Sequence, residues 1–307
     1  MEAIMKVLFL LVNSTCDISC MNCFYTTGHE KRSRFRIQPE IASCVAERIT
    51  SVGFNTVILS GGDPLHSRFK YETYILISEL KARRLKVIIN TSAVCLTEED
   101  LDTIIGLGVD RVDISIDSHD DAINNVLRGR HHDTVSAITG LIERGYRNVV
   151  TTTVVSKLNS PTLLETISWL KGLGVEDVRI QRVFLPNDST DKNGTIMQAM
   201  HDVEPSLRAS HASRYIELTD RAFNGQSASC GARCCMGKEY FVCNAQGVFT
   251  PCFHREDVVL GNLFEDPLDA LLQALVSNEL TAHDLPPCFG GHCASLFDIP
   301  NFWRERP

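Results

Sequence analysis

Three closely spaced cysteines near the start of the chain form the first group of residues that could do chemistry. Cys16, Cys20 and Cys23 have the spacing CxxxCxxC and follow directly after a short apolar segment. A structural zinc or a fully ligated iron-sulfur cluster uses four protein ligands, so three thiolates would leave one iron of a 4Fe-4S cluster open to an outside ligand. The alternative for this spacing is a zinc site with a distant fourth ligand, for which His29 is the candidate.

A second group of cysteines lies in the last third of the chain. Twelve cysteines without a secretory signal indicate a reducing compartment, where clustered thiols bind metal more often than they form disulfides, so a cytoplasmic protein is predicted. The late cysteines are Cys230, Cys234, Cys235, Cys243, Cys252, Cys288 and Cys293.

Outside both groups, Cys44 shares a predicted helical face with Val45 and Ile49 and is expected in the core.

The composition describes a globular chain and argues against two classes of partner. Apolar residues make up 44% and charged residues 22% of the 307 residues, so the chain can bury a sizeable core. The formal net charge of -8 argues against a nucleic-acid partner and favours cationic or neutral ligands. The early apolar segment Val7–Val12 is too short to cross a membrane, so no membrane partner is expected.

Between residue 6 and about residue 183, short apolar segments alternate with amphipathic helical stretches. This alternation predicts an α/β fold made of repeated βα units around a parallel sheet. The cysteine motif would follow the first strand, at the carboxyl edge of the sheet, where such folds place their chemistry. The six predicted strands are Val7–Val12, Thr56–Ser60, Val87–Asn90, Arg111–Ile116, Val149–Val155 and Val178–Val183.

A polar stretch between Pro186 and Pro205 interrupts the alternation and predicts a boundary between two domains, residues 1–205 and 206–307. In the second domain, residues 238–244 and 248–251 flank a short turn and predict a β-hairpin. A helix is expected after it, from about Pro267 to Leu275.

Together with the cysteine motif, several landmarks resemble the radical S-adenosylmethionine (SAM) superfamily over the first 183 residues. The segment Gly61-Gly62-Asp63-Pro64 is similar to the GGEP motif of that family, with Asp63 in place of the usual glutamate. The resemblance implies a partial (β/α)6 TIM-like barrel and a SAM-binding 4Fe-4S cluster on Cys16, Cys20 and Cys23. It also implies an external electron donor such as flavodoxin or ferredoxin.

The same resemblance implies a set of SAM contacts. Asp63 would meet the SAM amino group, Arg128 the SAM carboxylate, and the segment with Ser115 and Asp117 the ribose. The implied contacts are Phe24, Gly61, Gly62, Asp63, Asn90, Ser115, Asp117, Arg128 and Asn159.

One position departs from the family pattern. Asn22 precedes the third cysteine, where the family usually has an aromatic residue that packs on the adenine. Phe24 or Tyr25 is expected to take over this packing.

The late cysteines resemble the SPASM and twitch domains that bind auxiliary clusters. Eleven residues separate Cys235 from Gly247 and four separate Gly247 from Cys252, in the order those domains use. The short series implies one auxiliary 4Fe-4S cluster, a twitch-like arrangement, with a structural zinc as the alternative. The implied ligands are Cys235, Cys252, Cys288 and Cys293, with Cys230, Cys234 and Cys243 as substitutes.

The first predicted strand begins at about residue 6, so we expect no leader-binding domain and a small substrate. A short chain with surplus late cysteines resembles the aminoglycoside-tailoring branch of the family, of the neomycin C epimerase type, which acts in antibiotic biosynthesis. The prediction is epimerisation of a small cationic sugar, with Cys243 or Cys252 returning a hydrogen atom. The alternatives are a sugar-alcohol dehydrogenase, a peptide-modifying epimerase or crosslinking enzyme, and a non-enzymatic zinc-cysteine module.

Overall fold

The computed structural model describes residues 6–23, 35–182, 195–207, 236–253 and 255–278. Several residues of the sequence-based predictions lie outside these ranges, and their predicted roles stay predictions. They are Phe24, Tyr25, His29, Cys230, Cys234, Cys235, Cys288 and Cys293.

All six predicted strands of the first part are confirmed, each within one residue at either end. The strands are β1 (Val7–Asn13), β2 (Thr56–Gly61), β3 (Lys86–Thr91), β4 (Arg111–Ser115), β5 (Val149–Val155) and β6 (Asp177–Arg182). The helices are α1 (Ala42–Ser51), α2 (Lys70–Ala82), α3 (Glu98–Gly106), α4 (Asp121–Leu127), α5 (His131–Glu143), α6 (Leu163–Leu173) and α7 (Thr195–Val203). No helix among the described residues has the length and apolar character needed to cross a membrane.

The predicted hairpin and the helix after it are also present. They form β7 (Tyr240–Cys243), β8 (Val248–Thr250) and α8 (Leu268–Val276), with a short strand β9 (Gly261–Asn262) between β8 and α8.

These strands form one sheet in the order β6-β5-β4-β3-β2-β1-β7-β8-β9. The strands from β6 to β7 are parallel, whereas β8 and β9 are antiparallel to their neighbours. The sheet is not closed, so the fold class is confirmed as α/β with a partial TIM-like barrel. The hairpin extends this sheet, because β7 pairs with β1 and places Cys243 opposite Leu10.

Alternate residues of the strands pack on opposite faces of the sheet. One face is covered by the helices, and there Leu10 and Leu59 pack in the large core that also contains Ile49 of α1. The other face is the inner face of the partial barrel, where Leu11 and Ile58 form a smaller apolar cluster. A side chain on a strand can therefore be assigned to the helix-covered face or to the inner face.

The hairpin and the described residues after it share the core of the first part. Phe54, which follows α1, contacts Phe241 and Phe249 of the hairpin, with ring centroids 5.8 and 6.0 Å apart. Arg48 of α1 donates hydrogen bonds to the carbonyls of Leu263 and Asp266, between β9 and α8. The predicted domain boundary at residue 205 stays a prediction, but the hairpin does not stand apart from the sheet.

The prediction that Cys44 lies in the core is wrong. Helix α1 buries Ala42, Val45, Ala46 and Ile49, whose spacing forms one continuous helical stripe. Cys44 lies beside this stripe and is exposed.

The shared core predicts that a cavity in the hairpin destabilises the whole described fold. Phe241→Ala should lower the free energy of unfolding by about 3–5 kcal/mol, because Phe241 is fully buried. Chemical denaturation followed by tryptophan fluorescence should show a single transition at lower denaturant. Leu272→Ala is the control. Because Leu272 lies on the half-exposed side of α8, its truncation should change the free energy of unfolding only slightly. An unchanged main transition in the Phe241 variant would contradict a shared core.

Candidate functional site

The three early cysteines lie on a loop of residues 14–23, the cysteine loop, which follows β1 at the carboxyl edge of the sheet. Cys16 is exposed, and Cys20 and Cys23 are partly buried. The N–H of Cys23 donates to the carbonyl of Cys20 at 3.3 Å, which forms a tight turn. The N–H of Met21 donates to the carbonyl of Leu127 at 2.8 Å, so the loop is attached to the end of α4.

The thiols influence one another electrostatically. Although Cys16 as a residue is exposed, desolvation of its thiol by the surrounding protein raises the pKa of that thiol, and the nearby negative groups Asp63, Cys23 and Cys20 raise it further. Burial also raises the pKa of Cys20, but the guanidinium of Arg128 opposes this shift. Arg128 Nη1 lies 4.0 Å from the Cys20 sulfur. One cation therefore favours the thiolate form that a cluster ligand needs.

Two glycines let the loop after β2 pack directly on the cysteine loop. The N–H of Gly62 donates to the carbonyl of Asn13 at 2.8 Å, and the N–H of Asp63 donates to the carbonyl of Thr15 at 2.7 Å. A Cβ at Gly62 would overlap the backbone of Thr15, and one at Gly61 would overlap the carbonyl of Asn13. Gly61 also has a φ of +122°, which side chains other than glycine rarely adopt.

The carboxylate of Asp63 is already used inside the protein. It is 3% exposed and accepts hydrogen bonds from the N–H of Leu65 at 2.9 Å and from the Thr91 hydroxyl at 2.7 Å. It also accepts from the N–H of Ser92 at 2.9 Å and from the Ser92 hydroxyl. These bonds attach the Gly-Gly loop to the end of β3. The predicted contact of Asp63 with SAM stays a prediction, and its observed role is to hold this loop.

Asp117 and Arg128 form a buried ion pair beside the cysteine loop. Arg128 Nε lies 2.7 Å from Asp117 Oδ2, and the N–H of Val154 donates to the other carboxylate oxygen at 2.8 Å. Burial alone would raise the pKa of Asp117 and lower the pKa of Arg128, and each charge opposes the shift of the other. The pair joins the end of β4, the end of β5 and Cys20.

The side chain of Asn159 has no remaining hydrogen-bonding capacity. Its amide donates to the carbonyls of Asp117 at 2.7 Å and Val154 at 2.9 Å. Its oxygen accepts from the N–H and the hydroxyl of Ser156 at 2.7 and 3.0 Å. The side chain is fully buried and positions Asp117, and the predicted contact of Asn159 with SAM stays a prediction.

Asn90 and Ser115 lie at the carboxyl ends of β3 and β4 and are partly buried, on the inner face by strand alternation. Among the described residues, the buried polar atoms Thr15 Oγ1 and Asn22 Nδ2 of the cysteine loop and Asn90 Oδ1 at the end of β3 have no hydrogen-bond partner. Buried polar atoms are normally satisfied, so these atoms point to a bound polar group. With three neighbouring thiols and Arg128, the residues fit a cluster and its outside ligand.

The described residues contain no group of three or more histidine, cysteine, aspartate or glutamate side chains arranged around a single metal ion. The predicted auxiliary ligands other than Cys243 and Cys252 lie outside the described ranges.

The two candidate hydrogen donors lie on opposite faces of the sheet. Cys243 is fully buried in the helix-covered core, and burial raises its pKa. Cys252 is 5% exposed and belongs to the inner-face cluster with Leu11 and Val242. The sequence alone could not assign the two cysteines to opposite faces of the sheet, because the face that a residue of the hairpin occupies depends on how β7 pairs with β1. The geometry disfavours Cys243 as a donor to a substrate inside the partial barrel.

A cavity of about 250 Å³ lies between the cysteine loop and the hairpin. Asn13 and Ser14 line it where the cysteine loop begins. Thr250 lines the hairpin side and precedes Cys252 by two residues. Cys16, Cys20, Cys23 and Cys252 are not among its described lining residues, and the cavity lies beside the segments that lead to them.

Sequence reasoning missed the residues that position the Gly-Gly loop. The amide of Asn13 donates to the carbonyl of Asp63 at 2.8 Å, and its oxygen accepts from the N–H of Thr15 at 3.0 Å. Thr91 and Ser92 hold the Asp63 carboxylate. The sequence did contain one indication of this role, which was position: Asn13 and Thr91 are polar residues that end β1 and β3 after apolar runs.

Comparison with known proteins agrees with this site. The family model described as the radical SAM superfamily matches residues 10–170. The GTP 3',8-cyclase of Clostridium botulinum strain Okra is 23% identical over 284 residues, 88% of each chain. A probable GTP 3',8-cyclase of Methanocaldococcus jannaschii is 26% identical over 113 residues, so this chain spans only 37% of that relative. The structure of anSMEcpe with bound AdoMet shares the fold, with a TM-score of 0.66 and 15% identity over 88% of this chain and 80% of that chain.

The buried ion pair predicts a large effect of a single substitution. Arg128→Gln should lower the free energy of unfolding by about 3–5 kcal/mol, because it leaves the buried Asp117 carboxylate without its cation. The double variant Arg128→Gln/Asp117→Asn should recover part of this loss. Arg130→Gln breaks an exposed pair with Asp133 and should leave the urea midpoint close to that of the wild type. Equal urea midpoints for Arg128→Gln and Arg130→Gln would contradict the role of the pair.

Proposed function

Since this chain belongs to the radical SAM superfamily, whose model matches residues 10–170, we propose that it epimerises a carbon centre of a small amine-bearing sugar, an aminoglycoside. The family implies SAM and one 4Fe-4S cluster, which when bound supply a 5'-deoxyadenosyl radical that abstracts a hydrogen atom. The remaining steps depend on residues of this chain.

The observation that carries this proposal is the cavity between the cysteine loop and the hairpin. Its described lining includes Asn13 and Ser14, which lead into the cysteine loop, and Thr250, two residues before Cys252. Inversion of a carbon needs a hydrogen acceptor on one side of the substrate and a hydrogen donor on the other. We propose that the substrate occupies this cavity, between the radical source and Cys252.

In the proposed site, Cys16, Cys20 and Cys23 hold the cluster, and Arg128 stabilises the thiolate of Cys20. The unpartnered polar atoms of Thr15 and Asn90 are candidates to hydrogen-bond SAM. The Gly-Gly loop supports the SAM amino group through its backbone, because the Asp63 carboxylate is occupied by Thr91 and Ser92 among others.

Cys252 is the proposed hydrogen-atom donor. Its S–H hydrogen moves to the substrate radical, and the resulting sulfur-centred radical regains a proton from solvent and an electron from an external donor such as flavodoxin or ferredoxin. An auxiliary 4Fe-4S cluster would then take its ligands from Cys230, Cys234, Cys235, Cys288 and Cys293. The alternative role of Cys252 is that of a cluster ligand, and the two roles differ in their effect on iron content.

A sugar-alcohol dehydrogenase with the auxiliary cluster as electron acceptor remains the alternative. The relatives named GTP 3',8-cyclase suggest a nucleotide as another substrate class. The described lining of the cavity contains Glu256 and no lysine or arginine, which does not favour a triphosphate. A peptide substrate has no specific support among the described residues.

The proposal predicts that the inverted carbon of the product carries a hydrogen atom that comes from solvent. Anaerobically reconstituted protein with SAM, a reductant and neomycin C in deuterium oxide should give an epimer heavier by one deuterium at the inverted carbon. Cys252→Ala should still form 5'-deoxyadenosine and keep its iron but should release no epimer. Mass spectrometry and iron analysis measure these outcomes.

Cys243→Ala is the matched control and should epimerise as the wild type does. Joint replacement of Cys16, Cys20 and Cys23 by alanine should abolish 5'-deoxyadenosine formation. A product lighter by two hydrogens and without deuterium would establish the dehydrogenase instead. Loss of iron from Cys252→Ala would make Cys252 a cluster ligand.

A further inference from the structure

The residues on either side of Cys16 are both held by the segment that follows β2. On one side, the carbonyl of Thr15 accepts a hydrogen bond from the N–H of Asp63 at 2.7 Å. On the other side, the carboxylate of Asp17 binds Ser67 with both oxygens. Its Oδ2 accepts from the Ser67 N–H at 2.7 Å, and its Oδ1 accepts from the Ser67 hydroxyl at 2.5 Å. The backbone of the first predicted cluster ligand is therefore restrained from both sides.

His66 completes the surroundings of the Asp17 carboxylate. Its Nε2 lies 3.6 Å from Asp17 Oδ1. Its Nδ1 accepts a hydrogen bond from the N–H of Arg68 at 3.1 Å, so the hydrogen of the neutral ring is on Nε2 and faces the carboxylate. The ring also stacks on Phe69, with ring centroids 4.9 Å apart. The groups that face Asp17 are thus held in place by the turn before α2.

Asp17 places a negative charge beside a thiol that binds iron as a thiolate. Its side chain is 14% exposed, so solvent screens this charge only in part. Burial is the largest cause of the raised pKa of the Cys16 thiol, and Asp17 adds to it electrostatically. At Cys20 the neighbouring charge has the opposite sign, because Arg128 favours the thiolate there. A carboxylate that disfavours a thiolate also disfavours an electron added to a cluster on that thiolate.

We infer that Asp17 is a positioning residue of the cluster site, which holds Cys16 through Ser67 and His66 and lowers the reduction potential of the bound 4Fe-4S cluster. Nearby charges and the contacts that orient the ligands set the potential of such clusters. The inference depends on the cluster that the family implies. It goes beyond the proposed function, because it does not depend on which substrate is bound.

The test is a redox titration of the anaerobically reconstituted protein without SAM, followed by electron paramagnetic resonance. The signal of interest is the one that disappears when Cys16, Cys20 and Cys23 are jointly replaced by alanine. Asp17→Asn removes the charge but keeps an oxygen that accepts from Ser67. At the wild-type midpoint potential, the ratio of reduced to oxidised cluster should therefore rise about tenfold, an upward shift of about 59 mV for one electron. Asp17→Glu keeps the charge and should keep the midpoint close to that of the wild type.

Iron release to a chelator tests the second effect of Asp17, which is to hold Cys16. Asp17→Ala removes the charge and both acceptor oxygens, so it should lose the iron of this cluster about tenfold faster than the wild type. Asp17→Asn should lose it within about twofold of the wild-type rate. Asp102→Asn is the matched control, because it removes the same charge from an exposed position of α3 and should change neither the midpoint nor iron release.

A wild-type midpoint in Asp17→Asn would overturn the inference, and so would iron release from Asp17→Ala at the wild-type rate. An equal shift of the midpoint in Asp102→Asn would also overturn it, because the potential would then follow the net charge of the protein and not the place of Asp17. No sugar is present in these measurements. Their failure is therefore distinct from a failure of the proposed function, which appears as a missing epimer.

Discussion

The close packing of two backbone segments positions the chemistry of this protein. The loop after β2 reaches the start of the cysteine loop because Gly61 and Gly62 have no side chains to collide with Asn13 and Thr15. Two backbone hydrogen bonds then join the segments. The Asp63 carboxylate fixes the other side of the Gly-Gly loop to the end of β3. The three thiols thus stand on a loop that is held by neighbouring strands.

Charge provides the second constraint on this loop. The partly buried side chain of Arg128 lies between Asp117 and Cys20, so one guanidinium both compensates a buried carboxylate and favours a thiolate. Desolvated charges are stable only when such partners are well placed. Asn159 donates a hydrogen bond to the backbone carbonyl of Asp117. It therefore affects the thiols indirectly, through Asp117 and its partner Arg128. Several family landmarks therefore hold the site together through contacts inside the protein, and their predicted contacts with SAM stay predictions.

The local part of this fold could be predicted from the sequence, and the long-range part could not. Alternation of apolar residues located every strand from β1 to β6. Thr97 with Asp100 forms a capping box at the start of α3, which is a contact between residues only three positions apart. The pairing of β7 with β1 joins residues more than two hundred positions apart, and no local pattern encodes it. For the same reason the opposite facing of Cys243 and Cys252 became clear only from the structure.

The most direct test of this account is the rate of 5'-deoxyadenosine formation in two glycine variants. In Gly62→Ala the new Cβ overlaps the Thr15 backbone, so the cysteine loop must move, and the account predicts loss of 5'-deoxyadenosine formation. Gly172→Ala places the same atom in open space on α6 and should react at the wild-type rate. Formation of 5'-deoxyadenosine at the wild-type rate by Gly62→Ala would contradict the claim that this contact positions the reaction.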